Sequence, residues 1–109
     1  MMFQPHGFSP MRMMGRQIID EFCAQMSDED ILLMPEIYFA GGTVTRDISS
    51  RDLISRAVEN GKQARYFDNR EAAGEFILAN ARPGDRIVIM GARDNSLPGF
   101  CQTILERLK

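Results

Sequence analysis

The chain has 109 residues, 44% hydrophobic and 26% charged, with a net charge of −2, which suits one soluble globular domain with a single core. No basic stripe or acidic tail stands out, so nucleic acid is excluded as an expected partner. Apolar runs such as Ile87 to Met90 are far too short to cross a bilayer, and the N-terminus carries no leader pattern, so a cytoplasmic protein without a membrane partner is expected.

In chain order, Met1-Met2-Phe3 reads as the stump of a strand running into a loop at Gln4-Pro5-His6-Gly7. Pro10 suits the first turn of a helix. Met14, Ile18, Phe22 and Met26 recur every four residues, with Ile19 and Cys23 beside them, which predicts an apolar helical stripe. Ile31-Leu32-Leu33-Met34 is a short apolar run of the kind buried on both faces of a parallel sheet, and Pro35 ends it. The mixed stretch from Glu36 to Asp47 is a predicted loop. Ser49 with Asp52 forms a capping box for a helix whose buried face is Leu53, Ile54, Ala57 and Val58. Asn60-Gly61 stops that helix, because glycine accepts the left-handed conformation of a helix end. Ala64 to Phe67 is the next strand. Asp68 is the expected cap of a third helix, with Ala72, Phe76, Ile77 and Ala79 facing inward. After the turn Arg82-Pro83-Gly84-Asp85, Ile87 to Met90 is the clearest strand in the chain. Pro98 then opens a last helix that presents Phe100, Cys101, Ile104, Leu105 and Leu108 to the core. Cys23 and Cys101 are expected to be reduced, buried thiols, and a metal site has little support from one histidine and no paired-cysteine spacing.

Strands and helices alternating at this spacing predict an α/β fold with a parallel sheet, right-handed crossovers and helices on both faces. Ligands of such sheets bind outside the carboxyl ends of the strands. Three loops there exceed the usual length: Gln4 to Pro10, Glu36 to Asp47 and Gly91 to Leu97. Asp68-Asn69 is minimal and reads as a helix cap. The long loops and their flanks gather His6, Ser9 and Arg12; Glu36, Tyr38, Gly41-Gly42, Thr43 and Arg46; and Arg93, Asp94, Asn95 and Ser96. Cations, carboxylates and hydroxyls in this mixture suit an anionic or zwitterionic ligand, with arginine gripping a carboxylate or phosphate. Each residue also has a plainer reading. His6 is a satisfied turn residue, Gly41-Gly42 a turn, Arg46-Asp47 a surface ion pair, and Asp94 or Ser96 a helix cap. There is no phosphate-loop run and no dinucleotide fingerprint. Their shared rim is the stronger argument.

Several segments carry a resemblance. Phe3-Gln4-Pro5-His6, ILLMPEIYFAG from Ile31 to Gly41, Ile48-Ser49-Ser50-Arg51-Asp52-Leu53, and Pro83-Gly84-Asp85 with Val88-Ile89-Met90-Gly91-Ala92-Arg93-Asp94 appear in order along almost the whole chain. Together they resemble the C-terminal domain of Mur ligases of the UDP-N-acetylmuramate–alanine ligase type. The resemblance implies a three-layer Rossmann-like domain spanning residues 1–109, beginning after the family domain's first stretch. It also implies a parent with N-terminal and central domains that bind a UDP-muramyl substrate, ATP and Mg²⁺. The C-terminal domain would bind the incoming amino acid and close over the nucleotide, with amide formation through an acyl phosphate. The fragment alone would hold no cofactor or metal, supply no catalytic residue and show no ligase activity. On this resemblance the substrate-binding candidates are His6, Ser9, Arg12, Glu36, Tyr38, Ala40, Gly41, Arg93, Asp94 and Ser96.

One departure is clear. After Pro-His the family has an arginine, an aromatic residue, Ser or Thr, and a second arginine, whereas this chain has Gly7, Phe8, Ser9 and Pro10. Arg12 and Arg93 are the candidate replacements, and an acceptor other than alanine stays open. The competing readings are a free-standing flavodoxin-like binding or signalling module and a degenerate ligase domain kept for assembly. A receiver-type module would need an acidic pair after the first strand, and that pair is missing.

Overall fold

Local propensity and apolar spacing produce eight elements in strict alternation. In the computed structural model these are β1 (Met2–Gln4), α1 (Phe8–Gln25), β2 (Ile31–Pro35), α2 (Ser50–Glu59), β3 (Gln63–Phe67), α3 (Arg70–Asn80), β4 (Ile89–Gly91) and α4 (Leu97–Leu108). The structure describes residues 1–37, 48–92 and 94–109. The four strands form one sheet in the order β3-β2-β1-β4, and every pairing is parallel. Met2 stands opposite both Leu33 and Ile89, so the three-residue stump at the start of the chain is an inner strand.

The helices cover both faces. Phe8, Met11 and Ile19 of α1 pack with Leu53, Ile54 and Ala57 of α2 against Leu32 and Met34 on one side. Ala73 and Ile77 of α3 pack with Ile104 of α4 against Met2 and Leu33 on the other. Alternate residues of β2 therefore feed opposite cores, as a doubly covered strand requires. The chain steps from β1 through β2 to β3 with α1 and α2 on one face. It then returns to β4 in the opposite direction with α3 on the other face. Reversing both direction and face keeps the crossovers of one hand.

Several expectations change in detail. The row of α1 that turns inward is Phe8, Met11, Gly15 and Ile19, whereas Met14 is 48% exposed. A helix of 3.6 residues per turn drifts off a strict four-residue row, so a mixed three-and-four spacing stays on one face. Gly15 also lets α2 approach closely, since a Cβ there would sit 2.8 Å from Leu53 Cδ2. The run predicted as the clearest strand shortens to Ile89–Gly91 and lies on the sheet edge, with Val88 exposed. In α4, Leu97 and Ile104 are buried, while Leu105 and Leu108 face outward. The predicted inward face of α2 includes Val58, which is exposed. In α3 the inward residues are Ala73, Gly74 and Ile77, and Ala79 is exposed. Cys23 and Cys101 are only partly buried.

The local signals at the helix ends are mostly met. Ser49 Oγ accepts from the Arg51 N–H, and the Asp52 carboxylate accepts from the Ser49 N–H, both at 3.0 Å. The cap of α3 is Asn69 rather than Asp68: its side-chain oxygen accepts from the Ala72 N–H at 2.8 Å. That frees the Asp68 side chain from capping. None of the described helices is long and apolar enough to cross a membrane.

Candidate functional site

β1 and β4 are neighbours, but the helices that follow them pack on opposite faces of the sheet. A topological switch point lies between such strands, and their carboxyl ends splay to form a crevice. At this point Gln4 ends β1, and Asp94 follows β4. A cleft of about 420 Å³ opens along this rim, lined by Gln4, Pro35, Glu36, Ile37, Asp68, Asn69, Arg70, Asp94 and Ser96. Every strand of the sheet contributes to it through its carboxyl end or the turn beyond.

Asp94 is the hub at the switch point. Its side chain is 7% exposed. Gln4 Nε2 donates to Asp94 Oδ2 at 2.7 Å, and Arg70 Nη1 reaches the same oxygen at 3.1 Å. The other oxygen accepts from the Ser96 hydroxyl and from the Ser96 N–H. These donors, the Ser96 hydroxyl foremost and Gln4 next, outweigh burial and hold the Asp94 carboxyl below the usual carboxylate range. Gly91 permits the close fit of β4 to β1, because a Cβ there would lie 3.1 Å from the Gln4 carbonyl oxygen and 2.8 Å from Leu97 Cδ2.

Glu36 organises the opposite wall. One oxygen accepts from the Ile37 N–H at 2.8 Å and the Ser50 N–H at 3.0 Å. The other accepts from the Ser49 hydroxyl at 2.8 Å and the Tyr66 hydroxyl at 3.0 Å. Burial works against its ionisation, but these four donors together win and hold its carboxyl below the ordinary range. Tyr66 is pushed up to about 12, by burial first and then by Glu36 and Asp68. The Arg51 guanidinium lies 4.8 Å from the Tyr66 ring centroid. Glu36 thus ties the end of β2 to the start of α2 and to β3.

The structure brings Glu36, Asp94 and Ser96 to one cleft. His6 is partly buried just after β1, and Ser9 and Arg12 lie in the first turns of α1. They share the rim because α1 leaves the carboxyl end of β1, but none of them lines the cleft. Arg12 Nη2 donates to Ser9 Oγ at 3.3 Å. Tyr38, Ala40, Gly41 and Arg93 lie outside the described residues, as do Gly42, Thr43 and Arg46.

Reading the sequence missed Gln4, Asp68, Asn69 and Arg70, which all line the cleft. The β3–α3 turn is short enough to read as a minimal cap, yet it belongs to the same rim. A usable signal was present: Arg70 opens α3, where the helix dipole disfavours a cation. A cation at that place implies a counter-anion, and Asp94 supplies one. Asp68 follows β3, which lies on the sheet edge rather than in its middle, so it does not fit the phosphoacceptor of a receiver-type module.

Among the described residues no group of three or more His, Cys, Asp or Glu side chains could hold a metal ion. The cleft sets Glu36, Asp68 and Asp94 against Arg70. It suits a small zwitterion, whose ammonium faces carboxylates and whose carboxylate faces the arginine and amide donors.

The sequence comparisons agree with this architecture. Residues 11–93 match the family described as "Mur ligase, glutamate ligase domain". The chain is 37% identical over 92 residues to a UDP-N-acetylmuramate–L-alanine ligase of Acetivibrio thermocellus, covering 84% of this chain and 19% of that protein. It is 36% identical to that of Lachnospira eligens, again over 84% of the chain and 19% of the relative. It is 32% identical to that of Geotalea uraniireducens over 98% of the chain and 22% of the relative. The chain thus spans about a fifth of the length of the relatives it matches. On the family match, which covers most of its length, the chain belongs to the Mur ligase family and corresponds to that family's glutamate ligase domain.

Proposed function

We propose that this chain is the amino-acid-binding domain of an ATP-dependent, amide-forming ligase of peptidoglycan precursor synthesis, similar to UDP-N-acetylmuramate–L-alanine ligases. The observation that carries the reading is the cleft at the switch point, where Gln4, Asp94 and Arg70 form one network opposite Glu36. Its volume of about 420 Å³ falls within the range of small-molecule sites.

In this reading the domain binds the incoming amino acid, orients its amine and closes over the nucleotide. Glu36, Asp94 and Ser96 act from the cleft walls. His6, Ser9 and Arg12 flank the ligand from the end of β1 and the start of α1, and Tyr38, Ala40, Gly41 and Arg93 remain substrate-binding candidates on the resemblance. Orientation of this kind accelerates amide formation by converting an encounter into a held geometry. Amide formation through an acyl phosphate would draw on ATP and Mg²⁺ held by the N-terminal and central domains, which also bind the UDP-muramyl substrate. No step of that chemistry is assigned to the described residues. The domain of residues 1–109 is inactive by itself, and the whole enzyme works in the cytoplasm.

The test is ADP release by the longer protein carrying this domain, supplied with ATP, Mg²⁺, UDP-N-acetylmuramate and single amino acids. The expected result is release that depends on both the muramyl nucleotide and one class of amino acid. Absence of release with every combination would end this reading.

A further inference from the structure

The cation in the described lining of the cleft is Arg70. Its side chain is 23% exposed. Asp94 holds Nη1 at 3.1 Å, and the guanidinium lies 5.2 Å from the Phe100 ring centroid. The exposed Glu71 carboxylate also lies 3.7 Å from Nε, so the group is fixed at Nη1, at Nε and from one face. Its Nη2 donates to no described residue, so part of the planar fork remains available for bidentate binding of an anion. Asn69 stands beside it. Its side-chain oxygen is used by the Ala72 N–H, which leaves the Asn69 Nδ2 donors without a partner among the described residues.

The positions expected to carry arginine do not offer this. Gly7 adopts φ 76° and ψ 131°, a backbone region that favours glycine and would strain an arginine. Pro10 carries no charge. Arg12 bonds Ser9 and does not line the cleft.

We infer that Arg70 is the specificity-determining cation of this chain, gripping the carboxylate of the amino acid, with Asp94 as the residue that positions it. This inference rests on the amino-acid-binding reading above. It places the carboxylate anchor at the start of α3, on the face of the sheet opposite the start of α1, where the resemblance implies arginines.

The experiment is a nuclear magnetic resonance titration of the 109-residue chain with glycine, L-alanine and L-serine, and with glycinamide, L-alaninamide and L-serinamide. A charge-assisted pair is worth about 1.5–3 kcal/mol, or roughly 10- to 150-fold in affinity. The wild-type chain is expected to prefer at least one acid over its amide by such a factor. Arg70→Gln should abolish that preference, and Arg70→Lys should keep only part of it, because an ammonium lacks the fork. Matching melting curves and amide spectra would show that the variants remain folded. A wild-type chain with no preference for any acid, or an Arg70→Gln chain that keeps it, overturns the inference. In the longer protein, Arg70→Gln should raise KM for the amino acid with little change in kcat. Failure of the wild-type longer protein to release ADP would strike at the ligase reading, while the acid-to-amide ratio would still decide the role of Arg70.

Discussion

Glu36 is a partly buried carboxylate and Asp94 one with a nearly buried side chain, and both are held by protein donors. Both are held below the ordinary carboxylate range. The unfolded chain therefore takes up their protons first as the pH falls. Their stabilisation is fully present above the unfolded values of about 4 and is lost as the pH drops through the lower folded values. Glu36→Gln and Asp94→Asn are each expected to cost roughly 1–3 kcal/mol at neutral pH, because donors placed for a carboxylate lose an acceptor. Both variants should also flatten the acid limb. Urea midpoints measured from pH 7 to pH 3 would check this, since wild type should lose stability more steeply than either variant. Curves that ran parallel to wild type would show that these carboxylates do not carry the acid sensitivity. The residue scale is also where the sequence was least legible. The Gln4–Asp94 bond joins residues 90 apart, and no local spacing announces it. Arg70 was visible as a cation at a helix start, but its counter-anion lies 24 residues away.

At the scale of elements, local chemistry wrote most of the boundaries. The capping box of α2, the Asn60-Gly61 stop and the apolar run of β2 all appear where the sequence places them. What failed was the choice of face or position. Met14 lies on the outer side of α1, and Leu105 and Leu108 turn outward on α4 because burial there follows the row through Leu97 and Ile104. Ile87 to Met90 is the clearest strand by apolar character, yet pairing keeps only Ile89–Gly91, and strand order, set by long-range contacts, puts β4 at the edge. Glycine contrasts test the packing of these elements. Gly91→Ala puts a methyl against the Gln4 carbonyl and Leu97. A backbone atom cannot yield cheaply, so the expected cost is roughly 1–3 kcal/mol. Gly99→Ala meets nothing within 4 Å in α4, and reduced freedom of the unfolded chain should stabilise it by about 0.4–1 kcal/mol. Thermal and urea unfolding of the pair should move in opposite directions. Equal destabilisation by both would contradict the close approach of β4 to β1.

For the whole molecule, the sheet is the sole partition between two hydrophobic clusters among the described residues. β2 feeds both of them, with Leu32 and Met34 on one side and Leu33 on the other. Neither helical layer can bury its apolar face without that strand, so both should unfold together. Ile54 on α2 and Ile77 on α3 probe opposite faces, at 6% and 7% exposure. Ile54→Val and Ile77→Val are each expected to cost about 0.5–1.5 kcal/mol. The double variant should show their sum to within about 0.5 kcal/mol, because the sites share no partner. The urea m value should stay unchanged, and circular dichroism and tyrosine fluorescence should report one coincident transition. Separate transitions, or a fall in m confined to one variant, would mean that a layer melts by itself. The rim would then not be rigid. A cleft drawing Gln4 from β1, Glu36 from β2, Arg70 from α3 and Asp94 from beyond β4 keeps its shape only while both layers stay on the sheet. Cooperative unfolding is therefore the physical condition for a preformed site at this rim.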